Sequence, residues 1–188
     1  IRALKHDMGN HITVLENLYL KKETIEIEKY LAELKSAWSE SVAEIKTGNP
    51  VTDVILTQKQ KEAEEKGIDF RCKFMYPTDT GINAFDVSVI LNNAITNAFE
   101  GVNGCKNPYV SISSYRKKNA YMLELTNCIS KRVEIDDETG LPETTKKDKG
   151  SHGFGLANIR KVAQKYYGDI DISQDENNFT LTVMLMVE

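Results

Sequence analysis

Several features that would fix the class of this chain at once are missing. Cysteine occurs only three times in 188 residues, as Cys72, Cys105 and Cys128. An odd number with no Cys-x-x-Cys spacing excludes a complete disulfide framework and carries no zinc signature. A reducing cytosol suits that usage. No apolar run approaches the roughly 20 residues that span a bilayer, and no signal peptide is visible, so the chain as given reads as soluble. Charge of one sign is not in excess either. With 24 basic and 28 acidic residues the net charge is −4, which gives no global electrostatic reason to bind nucleic acid or an anionic membrane. There is no internal repeat and no low-complexity tract. An initiating Met is also absent, and the chain opens at Ile1 in what reads as mid-helix, as expected of a fragment of something longer.

The length suits one full domain plus a smaller element. Apolar residues at Ile1, Leu4, Met8, Ile12, Leu15 and Leu18 advance by threes and fours and draw a single stripe along a helix. After the polar break Lys21-Lys22-Glu23-Thr24, Ile27, Leu31, Leu34, Trp38, Val42 and Ile45 repeat the pattern, with Thr24 as N-cap. Two such helices pack as an antiparallel hairpin. A hairpin of this size buries little alone, and dimerisation into a four-helix bundle would supply the missing partner. Thr47-Gly48-Asn49-Pro50 breaks the pattern and offers a helix stop followed by a new start. The expected organisation is therefore a hairpin over residues 1–48 and a larger domain over 49–188.

In that larger domain a helix runs to about Lys66, and Ile68, Phe70, Cys72 and Phe74 alternate with charges as a strand. A helix from about Asp86 to Val102 follows. Strands Tyr109 to Tyr115 and Ala120 to Asn127 form a hairpin around Lys117-Lys118-Asn119. The polar stretch Cys128 to His152 shows no periodicity, and loops this long in compact domains are usually functional lids or disordered. A helix from Gly155 to about Tyr167, then strands Asp169 to Ser173 and Phe179 to Val187, complete the chain. The expected fold class is α+β, with the hairpin preceding an α/β sandwich of one mostly antiparallel sheet covered by helices on one face.

Three clusters carry chemistry. In Leu4-Lys5-His6-Asp7-Met8-Gly9-Asn10-His11, His6 lies about 200° around the helix from both Leu4 and Met8, so it points away from the apolar stripe. A neutral imidazole nitrogen is a competent nucleophile for phosphoryl transfer, and the neighbouring Asp7 carboxylate can take its proton or hold the tautomer. The same residues also suit a solvated His-Asp pair. His11, beside Ile12 at the edge of the stripe, suits a structural role better. Further on, Asn93, Asn97 and Glu100 share a helical face. An amide oxygen there can serve a hard cation such as Mg²⁺ that bridges phosphates, although a merely polar outer face has the same pattern. Asn is a poor interior helix former, and three in six positions (Asn92, Asn93, Asn97) need a reason. In Gly150-Ser151-His152-Gly153-Phe154-Gly155-Leu156-Ala157-Asn158-Ile159-Arg160, glycines feed a helix N-terminus and let backbone amides approach a phosphate.

Taken in order, these clusters resemble the GHKL ATPase superfamily, within it the sensor histidine kinases, and most closely the Agr-type, peptide-sensing quorum kinases of Gram-positive bacteria. His6-Asp7 with Asn10 is similar to that subfamily's phosphoacceptor box, Asn93 through Glu100 to its N box, and His152-Gly153-Phe154-Gly155-Leu156 with Asn158-Ile159-Arg160 to its glycine box. The resemblance implies that ATP and Mg²⁺ are the cofactors. It also implies that His6 receives the γ-phosphoryl group beside Asp7 as base, and that Asn97 contacts Mg²⁺. Asn93, Glu100, Gly153, Gly155 and Leu156 would line the nucleotide site. It implies a homodimer that passes phosphate to a response regulator, a cytoplasmic location, and a parent protein anchored in the bacterial membrane through upstream segments. One departure stands out. Most histidine kinases carry Asp-x-Gly-x-Gly at the end of the hairpin strand, where the Asp accepts from the adenine amino group. Here the strand ends Leu125-Thr126-Asn127-Cys128, and Asn127 would accept through its amide oxygen. ATP-hydrolysing relatives place Glu four residues before the N-box Asn. Asn93 stands there instead, and an amide is no general base, so transfer is favoured over hydrolysis. A catalytically silent dimerising pseudokinase and an anti-sigma-type serine kinase remain as alternatives.

Overall fold

A computed structural model describes residues 2–36, 45–136, 139–142 and 155–187, with the backbone alone for 2–10 and 32–36. The chain divides into two compact units, 1–42 and 43–188.

In the first unit α1 (Arg2–Leu20) and α2 (Thr24–Ser36) are joined at Lys21–Glu23, where Lys22 takes a left-handed φ of 57°. The two helices pack on each other. His11, Leu15, Leu18, Ile27 and Tyr30 are half-buried, whereas Ile12, Val14, Tyr19, Leu20, Ile25 and Leu31 are exposed. Among the described side chains of this unit none is fully buried. Ile45 does not continue the second stripe. Its amide donates to Thr57 Oγ1 at 2.9 Å and its side chain joins the core of the second unit. Thr47, fully buried, is held there too: its amide and hydroxyl both donate to Asp53 Oδ1, and its carbonyl accepts from the Tyr76 amide.

The second unit begins with α3 (Pro50–Glu65), started by Asn49, whose side chain accepts from the Val51 amide, with Pro50 in the first turn. Gly67, at a φ of +66°, ends it. The strands are β1 (Asp69–Lys73), β2 (Tyr109–Lys117), β3 (Ala120–Cys128), β4 (Ile170–Gln174) and β5 (Asn178–Met186). The remaining helices are α4 (Ala84–Gly101) and α5 (Gly155–Lys165). The five-stranded sheet has the order β1-β2-β3-β5-β4; the β1–β2 pair is parallel and the other three are antiparallel. α4 begins two residues before Asp86, because Asn83 caps it through a 2.8 Å bond from the Phe85 amide.

All three helices lie on one face of the sheet. α4 contributes Val87, Ile90, Leu91, Ala94, Ile95 and Ala98 to the core, and they meet Val110, Ile112, Leu123, Leu125, Leu181, Val183 and Leu185 from the strands. The other face is the half-exposed register of Met122, Glu124, Thr126, Thr180 and Thr182, with a Thr126–Thr180 hydroxyl contact at 3.0 Å. Gly168, after α5, passes so close to β5 that a Cβ on it would stand 1.7 Å from the Met184 carbonyl oxygen. No side chain fits there, and this contact fixes the height at which α5 leaves the helical layer.

Candidate functional site

The middle helix, α4, is apolar towards the sheet and carries amides on the side facing α5. Asn93 donates from Nδ2 to the Val89 carbonyl one turn back, at 2.8 Å, which directs its oxygen off the helix. Gly155, the first residue of α5, comes up against it. A Cβ at 155 would lie 3.0 Å from Asn97 Nδ2, 3.2 Å from Asn97 Oδ1 and 3.4 Å from Asn93 Oδ1. The first amides of a helix have no intrahelical partner, so the opening turn of α5 and two side-chain amides converge on one spot. Leu156 follows Gly155 and packs on the core. Gly153 lies outside the described residues.

Asn127 extends this line. Along β3 the core-facing positions are Tyr121, Leu123, Leu125 and Asn127, so an amide occupies the last buried register of an otherwise apolar strand, 3% exposed. Burial of an amide is costly unless it is bonded, and Nδ2 donates to the Cys128 carbonyl at 2.8 Å. Against it lies Gly101, one helical turn beyond Asn97. Glu100 is placed differently. It is exposed and lines a groove of about 600 Å³ on the α3 flank with Glu62, Lys66, Thr96, Phe99 and Cys105. The structure thus brings Asn93, Asn97 and Gly155 together, sets Asn127 one turn along, and turns Glu100 to the side.

The stretch after β3 is better built than its composition suggests. The Ile129 amide bonds the Asn177 carbonyl, and the Gln174 side chain accepts from the Val133 amide at 3.0 Å and donates to its carbonyl at 2.8 Å, imitating a sheet pair. Ile135 bridges Pro142, and Asp136 Oδ1 accepts from both the amide and the hydroxyl of Thr139. Arg160 on α5 donates from Nη1 to the Thr139 carbonyl at 2.6 Å. Its Nε stands 3.3 Å from Asp169 Oδ1 without the alignment of a hydrogen bond, so that contact is one of charge alone. The first half of the expected lid is therefore an anchored stem, fastened to β4 and α5.

Cysteine chemistry is not what this end of the domain offers. Burial, followed by the Cys128 thiol beside it, pushes Cys105 up to about 11, and burial raises Cys72. A thiol so shifted is a poor nucleophile at neutral pH. Among the described residues no group of three or more His, Cys, Asp and Glu could hold a metal ion. A metal at Asn97 would take most of its oxygens from phosphates and water, as Mg²⁺ does.

On the hairpin, His6 and Asp7 fall within α1, and their side chains lie outside the described residues. His11 is engaged: Nδ1 is 2.8 Å from the Tyr30 hydroxyl on α2, and the two rings tilt at 48°.

Sequence reasoning missed Asp86, Gln174 and Arg160 as organisers of this region. Gln174 gave no signal, because its bonds go to a backbone far along the chain, and Arg160 stood out only as part of the glycine box, not for its bond to Thr139. Asp86 looked like an ordinary acidic residue near a helix start, whereas it is 8% exposed and bonded to Lys165 and Tyr166.

By sequence, residues 82–186 match the family model described as the GHKL domain. No curated protein matches the chain. By structure, the chain is similar to the nucleotide-free catalytic domain of histidine kinase ThkA, with 18% identity, 79% of this chain and 97% of that one covered, and a TM-score of 0.60. It is also similar to the Acinetobacter baumannii histidine kinase AdeS, with 14% identity, 97% and 98% covered, and a TM-score of 0.55. A third is ThkA in complex with the response regulator protein TrrA, with 17% identity, 100% and 60% covered, and a TM-score of 0.54. At such identities the likeness is one of fold.

Proposed function

The chain belongs to the GHKL domain family, and on that premise we propose that it is the cytoplasmic catalytic region of a two-component sensor histidine kinase of the Agr-type, peptide-sensing group. One observation carries the nucleotide site: Gly155 is seated against Asn97 and Asn93, so that a helix start and two amides face one point. That is a fit for a phosphate chain and its metal, because helix-start amides favour anions and an amide oxygen suits a hard cation.

The second unit is the ATP-binding domain, and the hairpin of the first is the dimerisation and phosphoacceptor element. Mg-ATP, when bound, supplies the γ-phosphoryl group and its counter-charge. Asn97 positions Mg²⁺, Asn93 flanks it, and the Gly153, Gly155 and Leu156 turn supports the phosphates, whereas Glu100, on the α3 flank, stands outside this arrangement. Asn127 accepts from the adenine amino group. His6 receives the phosphoryl group on a ring nitrogen, Asp7 takes the proton that leaves that ring, and a response regulator is the final acceptor. The exposed Ile12, Val14, Tyr19, Leu20, Ile25 and Leu31 support closure of the hairpin by a second copy into a four-helix bundle. His11 is occupied by Tyr30, which favours His6 as the acceptor. Two-component signalling fits the histidine kinase structures to which the fold is similar, ThkA with TrrA among them. Among the described residues no helix is long and apolar enough to cross a membrane; anchoring of the parent through upstream segments is part of the proposal.

The test is incubation with γ-labelled Mg-ATP, followed by acid treatment. Label that is incorporated and lost in acid is expected. Acid-stable label would point to a serine kinase, and no label with retained nucleotide binding to a silent module.

A further inference from the structure

α4 and α5 run antiparallel and pack along their length, with a polar contact at each end of the seam. One is the Gly155 contact with Asn93 and Asn97. The other lies at the opposite ends of both helices, where Asp86 Oδ2 receives the Lys165 ammonium at 2.6 Å and the Tyr166 hydroxyl at 2.5 Å. The Tyr166 hydroxyl in turn accepts from the Asn83 amide at 2.9 Å, at the cap of α4. Eleven residues separate Asp86 from Asn97, and ten separate Gly155 from Lys165. At about 1.5 Å per residue the spans are roughly 16 and 15 Å, so the two contacts match in length like a pair of bolts along one seam.

The far end of α5 is fixed to the sheet as well. The Met186 amide donates to the Tyr166 carbonyl at 2.9 Å, and Gly168 passes flush against Met184. α5 is thus held at its C-terminal end by β5 and by Asp86. At its N-terminal end it is seated by Leu156 and Ile159 on the core and by the meeting of Gly155 with two amides. A lever fixed at one end delivers any error in angle to the other. A tilt of about 5° over roughly 15 Å moves the tip by about 1 Å, and a misplacement of that size at a reacting group is costly.

We infer that Asp86 is a positioning residue of the nucleotide site: by fastening Lys165 and Tyr166 to the start of α4 it sets the angle of α5, and with it the place of the Gly155 amides relative to Asn97. Asp86 touches no reacting group in this arrangement. The inference rests on the nucleotide reading above for its consequence, though not for its geometry.

The experiment compares full-length wild type with Asp86→Ala, Asp86→Asn and Tyr166→Phe, and with Ile112→Val as a core variant remote from the seam. Two readouts are taken well below each melting temperature: amide hydrogen exchange over residues 155–159, and Mg-ATP affinity by calorimetry. Asp86→Ala should speed exchange at 155–159 and weaken Mg-ATP about tenfold. Asp86→Asn, which still accepts both hydrogen bonds, should stay within about threefold of wild type. Tyr166→Phe should fall between them, and Ile112→Val should change neither readout. Unchanged exchange and affinity in Asp86→Ala overturns the inference, as does an equal loss in Ile112→Val. If wild type itself does not bind Mg-ATP, the nucleotide reading fails, and exchange at 155–159 alone then decides whether Asp86 sets the angle of α5.

Discussion

Gly101 and Asn127 are packed so closely that a Cβ on the glycine would lie 2.8 Å from the Asn127 amide nitrogen. The last turn of α4 therefore holds the end of β3 through an absent side chain. Gly101→Ala would ordinarily favour a helix by about 1 kcal/mol, yet here the new methyl must displace the amide proposed to read adenine. Affinity for Mg-ATP should fall about tenfold while the melting temperature moves by no more than a few degrees. Calorimetry beside thermal melting checks this, and undiminished affinity would take Asn127 out of the adenine site.

The same logic applies at Gly155, with a different neighbour. A methyl at 155 meets both atoms of the Asn97 amide inside ordinary contact distance, so Gly155→Ala should disturb the metal end of the nucleotide. We expect phosphotransfer to drop by at least tenfold, with folding retained by circular dichroism. Asn97→Asp should likewise change activity more than fold, because it adds a carboxylate where the triphosphate is already anionic. Wild-type rates in either variant would count against the site.

On the hairpin, His6→Gln should abolish acid-labile labelling and leave nucleotide affinity untouched, since acceptor and binding site are assigned to different units. His11→Gln should keep the label. Its loss of the Tyr30 bond, worth about 1 kcal/mol, should show instead as a less stable helical pair. Label persisting in His6→Gln would move the acceptor elsewhere.

Acid should loosen the α4–α5 seam. Burial raises the Asp86 carboxyl, but the Lys165 and Tyr166 bonds outweigh it and hold the carboxyl below its ordinary value. A group depressed in the folded state contributes stability above its unfolded pKa, about 3.9, and loses it as pH falls through the folded value. Asp86→Asn should therefore lower stability near neutrality and narrow the gap to wild type below about pH 4. Asp53 and Asp175 are depressed as well, chiefly by hydrogen bonds from Thr47 and from Asn178, so wild-type acid sensitivity should shrink in the variant and not vanish. Parallel melts from pH 7 to 3 measure it.

Gln174, at the end of β4, closes the stem with two bonds to the backbone of one residue, Val133. Removing them in Gln174→Ala should speed tryptic cleavage at the exposed Lys131 and Arg132 several-fold. Mg-ATP is expected to protect the region from Lys131 to Lys149 in wild type. Equal cleavage with and without nucleotide would argue against a closing lid.

Much of the second unit was legible in the sequence because local rules govern it. Asn49-Pro50 starts α3, Gly67 ends it, and the apolar spacing of α4 survives packing, the helix starting two residues earlier and ending one residue sooner than expected. What could not be read is what depends on distant partners. Ile45 fits a helical stripe by spacing, but Thr57 twelve residues on gives its amide a different role. The stem after β3 looks structureless because its bonds run to Gln174 and Arg160. Glu100 shares a nominal face with Asn93 and Asn97, yet a spacing rule with a helical tolerance of some tens of degrees does not say on which side of a helix a neighbour will stand.

Gly168 has a practical bearing on genetics. Because the Met184 carbonyl occupies the space where any Cβ would go, every substitution at that position should deplete folded protein. A saturation screen scored only by signalling output would rank it beside Asn97 as indispensable. Scoring cellular abundance in parallel would part the two, since an Asn97 variant should accumulate normally and stay silent, whereas a Gly168 variant should be degraded.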